Sequence, residues 1–119
     1  MTDRELLELA SKAIGIQGRY RPAAKDIYQG IEYGDGYFQD NWCPLDDDGD
    51  ALRLAVKLEL EISRARDFDT GDIDVVTVSR AAISAKLSPL VEELEGNNPY
   101  AATRRAIVRA AAEIGKTMV

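Results

Sequence analysis

Asp46, Asp48 and Asp50 stand at every second position, the spacing at which the first ligands of an EF-hand loop meet a calcium ion. The rest of that loop is missing. Its sixth position, where glycine makes the sharp turn, is Ala51, and its twelfth, where a bidentate glutamate closes the shell, is Lys57. The same aspartates follow Pro44 and precede a helical pattern, so helix capping accounts for them without a cation. They are weak metal candidates, and no cofactor is expected. A second acidic group, Asp67, Asp69, Asp72 and Asp74, flanks Gly71, where aspartate serves turn formation. Were the fold to bring the two groups together, clustered carboxylates would suit a divalent-metal nuclease or phosphatase.

Other routes to catalysis lack their parts. The chain has no histidine, which removes the commonest general base and the commonest transition-metal ligand. Cys43 therefore has no imidazole to activate it, and beside Trp42 and Pro44 it reads as a buried, unreactive thiol. Neither phosphate-binding glycine motif, G-x-x-x-x-G-K-[ST] or G-x-G-x-x-G, occurs, and none of Ser11, Ser63, Ser79, Ser84 and Ser88 sits in a nucleophile elbow. The sequence points away from an enzyme.

Recognition is better supplied. Six of the eight aromatic residues fall between Tyr20 and Trp42, among glycines and without helical periodicity. Tyr28, Tyr33, Tyr37, Phe38 and Trp42 are the candidate binding residues. The competing reading is that the rings cover one face of a small sheet, since aromatics are strand formers and core fillers first. The net charge of −6 repels phosphate backbones and anionic lipid surfaces, which disfavours nucleic-acid and membrane partners and leaves a basic protein surface as a fitting one. The oligomeric state is left open.

The elements that must position these residues follow from pattern. At 119 residues with 45% hydrophobic content, the chain has length for one core, and a single domain over residues 1–119 is expected. Thr2 and Glu5 form a capping box for a helix over residues 3–14, with Leu6, Leu9, Ala10, Ala13 and Ile14 on its apolar face and Gly15 as its left-handed cap. Residues 26–33 and 36–41 read as short strands paired about Gly34 and Asp35.

A second helix starts at Asp46, Asp47 or Asp48 and runs to about Lys57, with Leu52, Ala55, Val56 and Leu58 as core stripe and Arg53 and Lys57 toward solvent. Leu58, Leu60 and Ile62 then alternate with Glu59, Glu61 and Ser63, a strand pattern. A turn over 67–72 leads to an antiparallel strand over 73–79. Residues 82–87 read as a third strand and 89–95 as a turn or short helix. Asn98 and Pro99 start a last helix to Ile114, stopped by Gly115, with Thr103, Ile107, Ala110, Ala111 and Ile114 inward and Arg104, Arg105 and Arg109 outward. The class is α+β, with a small antiparallel sheet packed against two to three helices. The single cysteine, the absence of a signal-like apolar segment and the absence of any apolar run of roughly 20 residues make a cytoplasmic location the expectation.

Two blocks, residues 41–54 (NWCPLDDDGDALRL) and 98–108 (NPYAATRRAIV), resemble small accessory proteins of unknown function encoded by tailed phages and prophages, including NinX-like proteins. The resemblance implies a phage origin and a cytoplasmic role in the infected cell. It supplies no catalytic residues. With the charge and the aromatic segment, it leads to the expectation of a non-enzymatic protein that binds a host or defence component. An anti-defence inhibitor, such as an anti-CRISPR protein mimicking nucleic-acid charge, is its specific form. The alternative expectation is a nucleotide or divalent-metal binding protein, with metal-dependent hydrolysis at the two acidic groups and help from Arg104, Arg105 and Arg109.

Overall fold

The first helix, α1 (Asp3–Ile14), has the limits its caps dictate. Thr2 Oγ1 accepts the Glu5 N–H at 3.2 Å, and Gly15 turns the chain out at φ 78°, its N–H donating to Lys12. The structure is a computed structural model and describes residues 1–34, 39–66, 73–80, 91–94 and 96–118. Among these, three helices and two antiparallel three-stranded sheets make an α+β architecture. No described helix is long and apolar enough to cross a membrane.

The first sheet joins β1 (Gly18–Arg21), β2 (Gly30–Gly34) and β3 (Gln39–Trp42), in that order, with Tyr20 opposite Ile31 and Ile31 opposite Trp42. The two strands of the expected hairpin do pair, but the register is corrected. Tyr33 stands opposite Asp40 and Gly34 opposite Gln39, so the pairing is centred beyond Gly34 and Asp35, and β2 starts only at Gly30. The strand β1 is a feature the pattern did not announce. After a turn comes α2 (Asp48–Lys57), then β4 (Leu60–Arg66), β5 (Ile73–Arg80) and β6 (Val91–Leu94), which form the second sheet in chain order. One sheet was expected and two are present. The expected turn or short helix at 89–95 is corrected at its centre, because residues 91–94 pair with β5, with Val78 opposite Val91. The third strand expected at 82–87 and the turn at 67–72 lie outside the described residues.

The last helix, α3 (Pro99–Thr117), starts as predicted, with the Asn98 side chain accepting the Ala101 N–H. It serves both sheets. Ala102, Ala106 and Ala110, four residues apart, pack on Val76, Val78 and Val91 of the second sheet. Ile107, Val108, Ala111 and Ala112 join Leu7, Ile31, Trp42 and Leu54 in the other core. Gly115 does not stop this helix. It lies buried inside α3, where an added Cβ would stand 2.0 Å from the Leu9 carbonyl oxygen, so its smallness lets α1 lie directly on α3. The helix ends two residues later at Thr117.

The stripe of α2 is also corrected. Ala51, Leu54, Ala55 and Leu58 face the core, while Leu52 and Val56 are 61% and 69% exposed. Both sets have helical spacing; docking on α3 selects the one that lets two alanines approach closely.

Candidate functional site

The turn between β3 and α2 is built from Trp42 to Asp50. Trp42 is 5% exposed, and Cys43, Pro44 and Leu45 are buried with it, so the segment is anchored in the core by its first half. Its second half is fixed by its own aspartates. The Cys43 carbonyl accepts the N–H groups of Asp46 and Asp47, and the Cys43 N–H donates to Asp50 Oδ2 at 2.9 Å. Asp47 caps the helix by accepting the Asp50 N–H at 2.8 Å, and Asp50 Oδ1 accepts from Arg53 at 2.8 Å. Arg104 reaches across from α3 to donate to the Leu45 carbonyl at 2.9 Å and to Asp48 at 2.6 Å.

These bonds decide what the aspartates can do chemically. Asp47 and Asp50 are held within the turn and share Arg53, Asp48 is held by Arg104 from α3, and among the described residues no group of three or more Asp, Glu, Cys or His is placed to share a cation. Asp47, which lies outside the every-second-residue set, is the cap of α2, and Asp48 and Asp50 lie in its first turn. Asp67, Asp69 and Asp72 lie outside the described residues. Burial, with the charge of Asp50 beside it, pushes the Cys43 thiol up from its ordinary value, so the thiol stays protonated and a poor nucleophile.

The arginines expected to face outward are half-buried and paired. Besides the Arg104 contacts, Arg105 donates to Asp3 Oδ1 at 2.9 Å and Arg109 pairs with Glu93. Each ties α3 to another element, because a long side chain at the edge of a buried helix face can reach a carboxylate beyond it. They do not form one cationic patch for a phosphate.

The turn separates two hollows. On one side Asp46 faces the loop of residues 22–29 across an open hollow of about 640 Å³, which Asp26, Ile27 and Tyr28 also line. The loop is held by its backbone. Ala24 and Ile27 exchange both N–H to carbonyl bonds at 3.0 Å, Asp26 takes a left-handed φ of 62°, and Arg21 donates to the Tyr28 carbonyl at 3.3 Å. Behind it runs a polar chain in which Tyr20 donates to Gln29, and Gln29 and Arg105 both donate to Asp3. Arg4 lies over the Tyr20 ring at 5.5 Å. Tyr28 remains 59% exposed, with Ile27 exposed beside it.

On the other side Asp48 borders an apolar groove of about 210 Å³ among α2, α3 and β4, lined also by Leu52, Ile62, Tyr100 and Ile107. Tyr100 is 70% exposed.

The five aromatic candidates therefore have different fates. Tyr28 is a surface residue. Tyr33 is half-buried against the core, and Trp42 is a core residue, because its place opposite Ile31 turns the ring inward; it is corrected as a contact residue. Tyr37 and Phe38 lie outside the described residues. Ile27, Leu52, Val56 and Tyr100 were missed as surface groups, and the two on α2 carried the wrong sign, because apolar residues signal burial by default. Comparison with family models, with curated proteins and with solved structures finds no match.

Proposed function

We propose that the protein is a phage-encoded accessory protein without catalytic activity that acts in the host cytoplasm by binding a host or defence protein. The observation that carries the reading is the loop of residues 22–29, whose backbone is fixed by hydrogen bonds while Ile27 and Tyr28 stand in solvent. A fixed loop loses little conformational freedom on binding, so its exposed apolar groups contribute most of what they can. Burying the exposed part of each would release on the order of 1 kcal/mol. Asp26 and Asp46 border the same hollow and, with the net charge of −6, favour a partner with basic groups around an apolar centre. The resemblance of residues 41–54 and 98–108 to phage accessory proteins supports the setting. An anti-defence inhibitor is the specific form this binding takes.

A tagged wild-type protein is expected to capture a discrete protein from host lysate, and a variant carrying Ile27→Ser and Tyr28→Ala is expected to lose it while keeping the wild-type melting temperature. Recovery of nothing above background, or equal recovery by the variant, overturns the proposal. Heat on titration with magnesium, calcium or a panel of nucleotides at millimolar concentration is the result that would favour the small-ligand alternative instead.

A further inference from the structure

Asp46 differs from the other carboxylates of the Trp42–Asp50 turn. Asp47 and Asp50 meet Arg53, and Asp48 meets Arg104, while the Asp46 carboxylate meets no cation or hydrogen-bond donor among the described residues. Asp46 is half-buried. Every other half-buried carboxylate among the described residues, on Asp3, Glu32, Asp50, Glu93 and Glu113, is paired with an arginine or a lysine. Asp46 stands on one wall of the open hollow of about 640 Å³, and Asp26 and Tyr28 stand on the other. The Asp26 carboxylate is likewise unpaired among the described residues, although Lys25 precedes it in the chain.

We infer that this hollow seats one arginine side chain of the bound protein, an inference that rests on the reading of the loop of residues 22–29 as a docking surface. Two unpaired carboxylates on opposite walls call for a cation that donates in more than one direction, and a guanidinium carries five N–H groups in one plane. The face of that plane can lie on the ring of Tyr28, which is 59% exposed. A lysine ammonium is a compact, strongly hydrated charge and gives up more hydration to meet a half-buried carboxylate. Phosphates and carboxylates are repelled by both walls. A divalent cation takes several oxygen ligands, and among the described residues no group of three acids is placed to hold one. Ile27 is exposed beside Tyr28, so apolar residues flanking the arginine complete the contact.

Titration of the isotope-labelled full chain with the peptide acetyl-Ala-Leu-Arg-Leu-Ala-amide, followed by amide NMR, tests this. The peptide is expected to shift the signals of residues 23–29 and of Asp46 saturably, with a dissociation constant on the order of 1 mM. The same peptide with citrulline, which keeps the shape and loses the charge, is expected to cause no shift up to about 10 mM. The lysine peptide is expected to bind more weakly than the arginine one. Asp46→Asn should weaken the arginine peptide roughly fivefold. Its melting temperature should stay that of the wild type, because the Asp46 carboxylate holds no other part of the fold. Tyr28→Leu, which keeps an apolar group and loses the ring, should weaken the peptide roughly threefold. Absence of shifts in residues 23–29, equal binding of the citrulline peptide, or indifference to Asp46→Asn overturns the inference. Lysate capture that needs Ile27 and Tyr28 but ignores Asp46→Asn overturns the arginine and leaves the loop reading standing. Arginine-peptide binding by a chain that captures nothing from lysate does the reverse.

Discussion

The two flanks of the Trp42–Asp50 turn expose apolar side chains for different physical reasons. On the loop flank, Ile27 and Tyr28 stand out because hydrogen bonds hold the backbone in a shape with no core beneath it. On the helix flank, Leu52 and Val56 stand out because Ala51, Leu54, Ala55 and Leu58 already occupy the inward face. The first exposure depends on polar contacts reaching back to Asp3 on α1. The second depends on helical periodicity and on α3. Disturbing one support should therefore move one surface and leave the other.

Trp42→Ala is the change that should erase the distinction, because the ring anchors the turn that both flanks share. A loss of ~3–5 kcal/mol in urea unfolding is expected, with both flanks exchanging amide hydrogen faster. Protection retained on either side would show that the turn is not their common support. Gly115→Ala should separate them. The new Cβ meets the Leu9 backbone, so α1 must shift on α3 at a cost of about 1–3 kcal/mol. Asp3 moves with α1, and faster hydrogen exchange is expected in residues 22–29 than in residues 48–57.

Asp50→Ala removes the acceptor of the Cys43 N–H and should cost about 1–2 kcal/mol. Maleimide labelling of Cys43, slow in the native protein because the thiol is buried and protonated, should accelerate in this variant. Asp3→Asn is the smallest effect, below about 1 kcal/mol for so exposed a pair. Burial pushes the Asp3 carboxyl up, but hydrogen bonds from Gln29 and Arg105 and the Arg105 charge bring it below its ordinary value of 3.8. A carboxyl lowered on folding adds stability above its unfolded value and loses it as pH falls through the folded one. Wild type should thus fall toward the variant below about pH 4, and a constant difference down to pH 2 would remove Asp3 from the loop's support.

Local signals were legible wherever a bond closes within a few residues. The Thr2 and Asn98 caps, an aspartate cap among residues 46–48 and the Gly15 exit each rest on partners close in sequence, and the structure has them in place, whereas Ile62, expected inward by its alternation in β4, is exposed. The strand β1 could not be read, because Gly18 to Arg21 has no apolar alternation and takes its extended form from pairing with β2. Arg104, Arg105 and Arg109 look like a solvated face until Asp48, Asp3 and Glu93 arrive from three other elements.

The sequence by itself determined the α+β class, the starts of all three helices and an aspartate cap for α2 among residues 46–48, since each follows from short-range bonding, while the structure selected Asp47. Tertiary structure decided which of two equally periodic stripes on α2 turned inward, why Gly115 sits mid-helix, and where the arginines and Tyr28 ended. Periodicity fixes which residues share a face, but which face is buried depends on the shape of what packs against it. For α2 that is α3, more than 40 residues away in the chain.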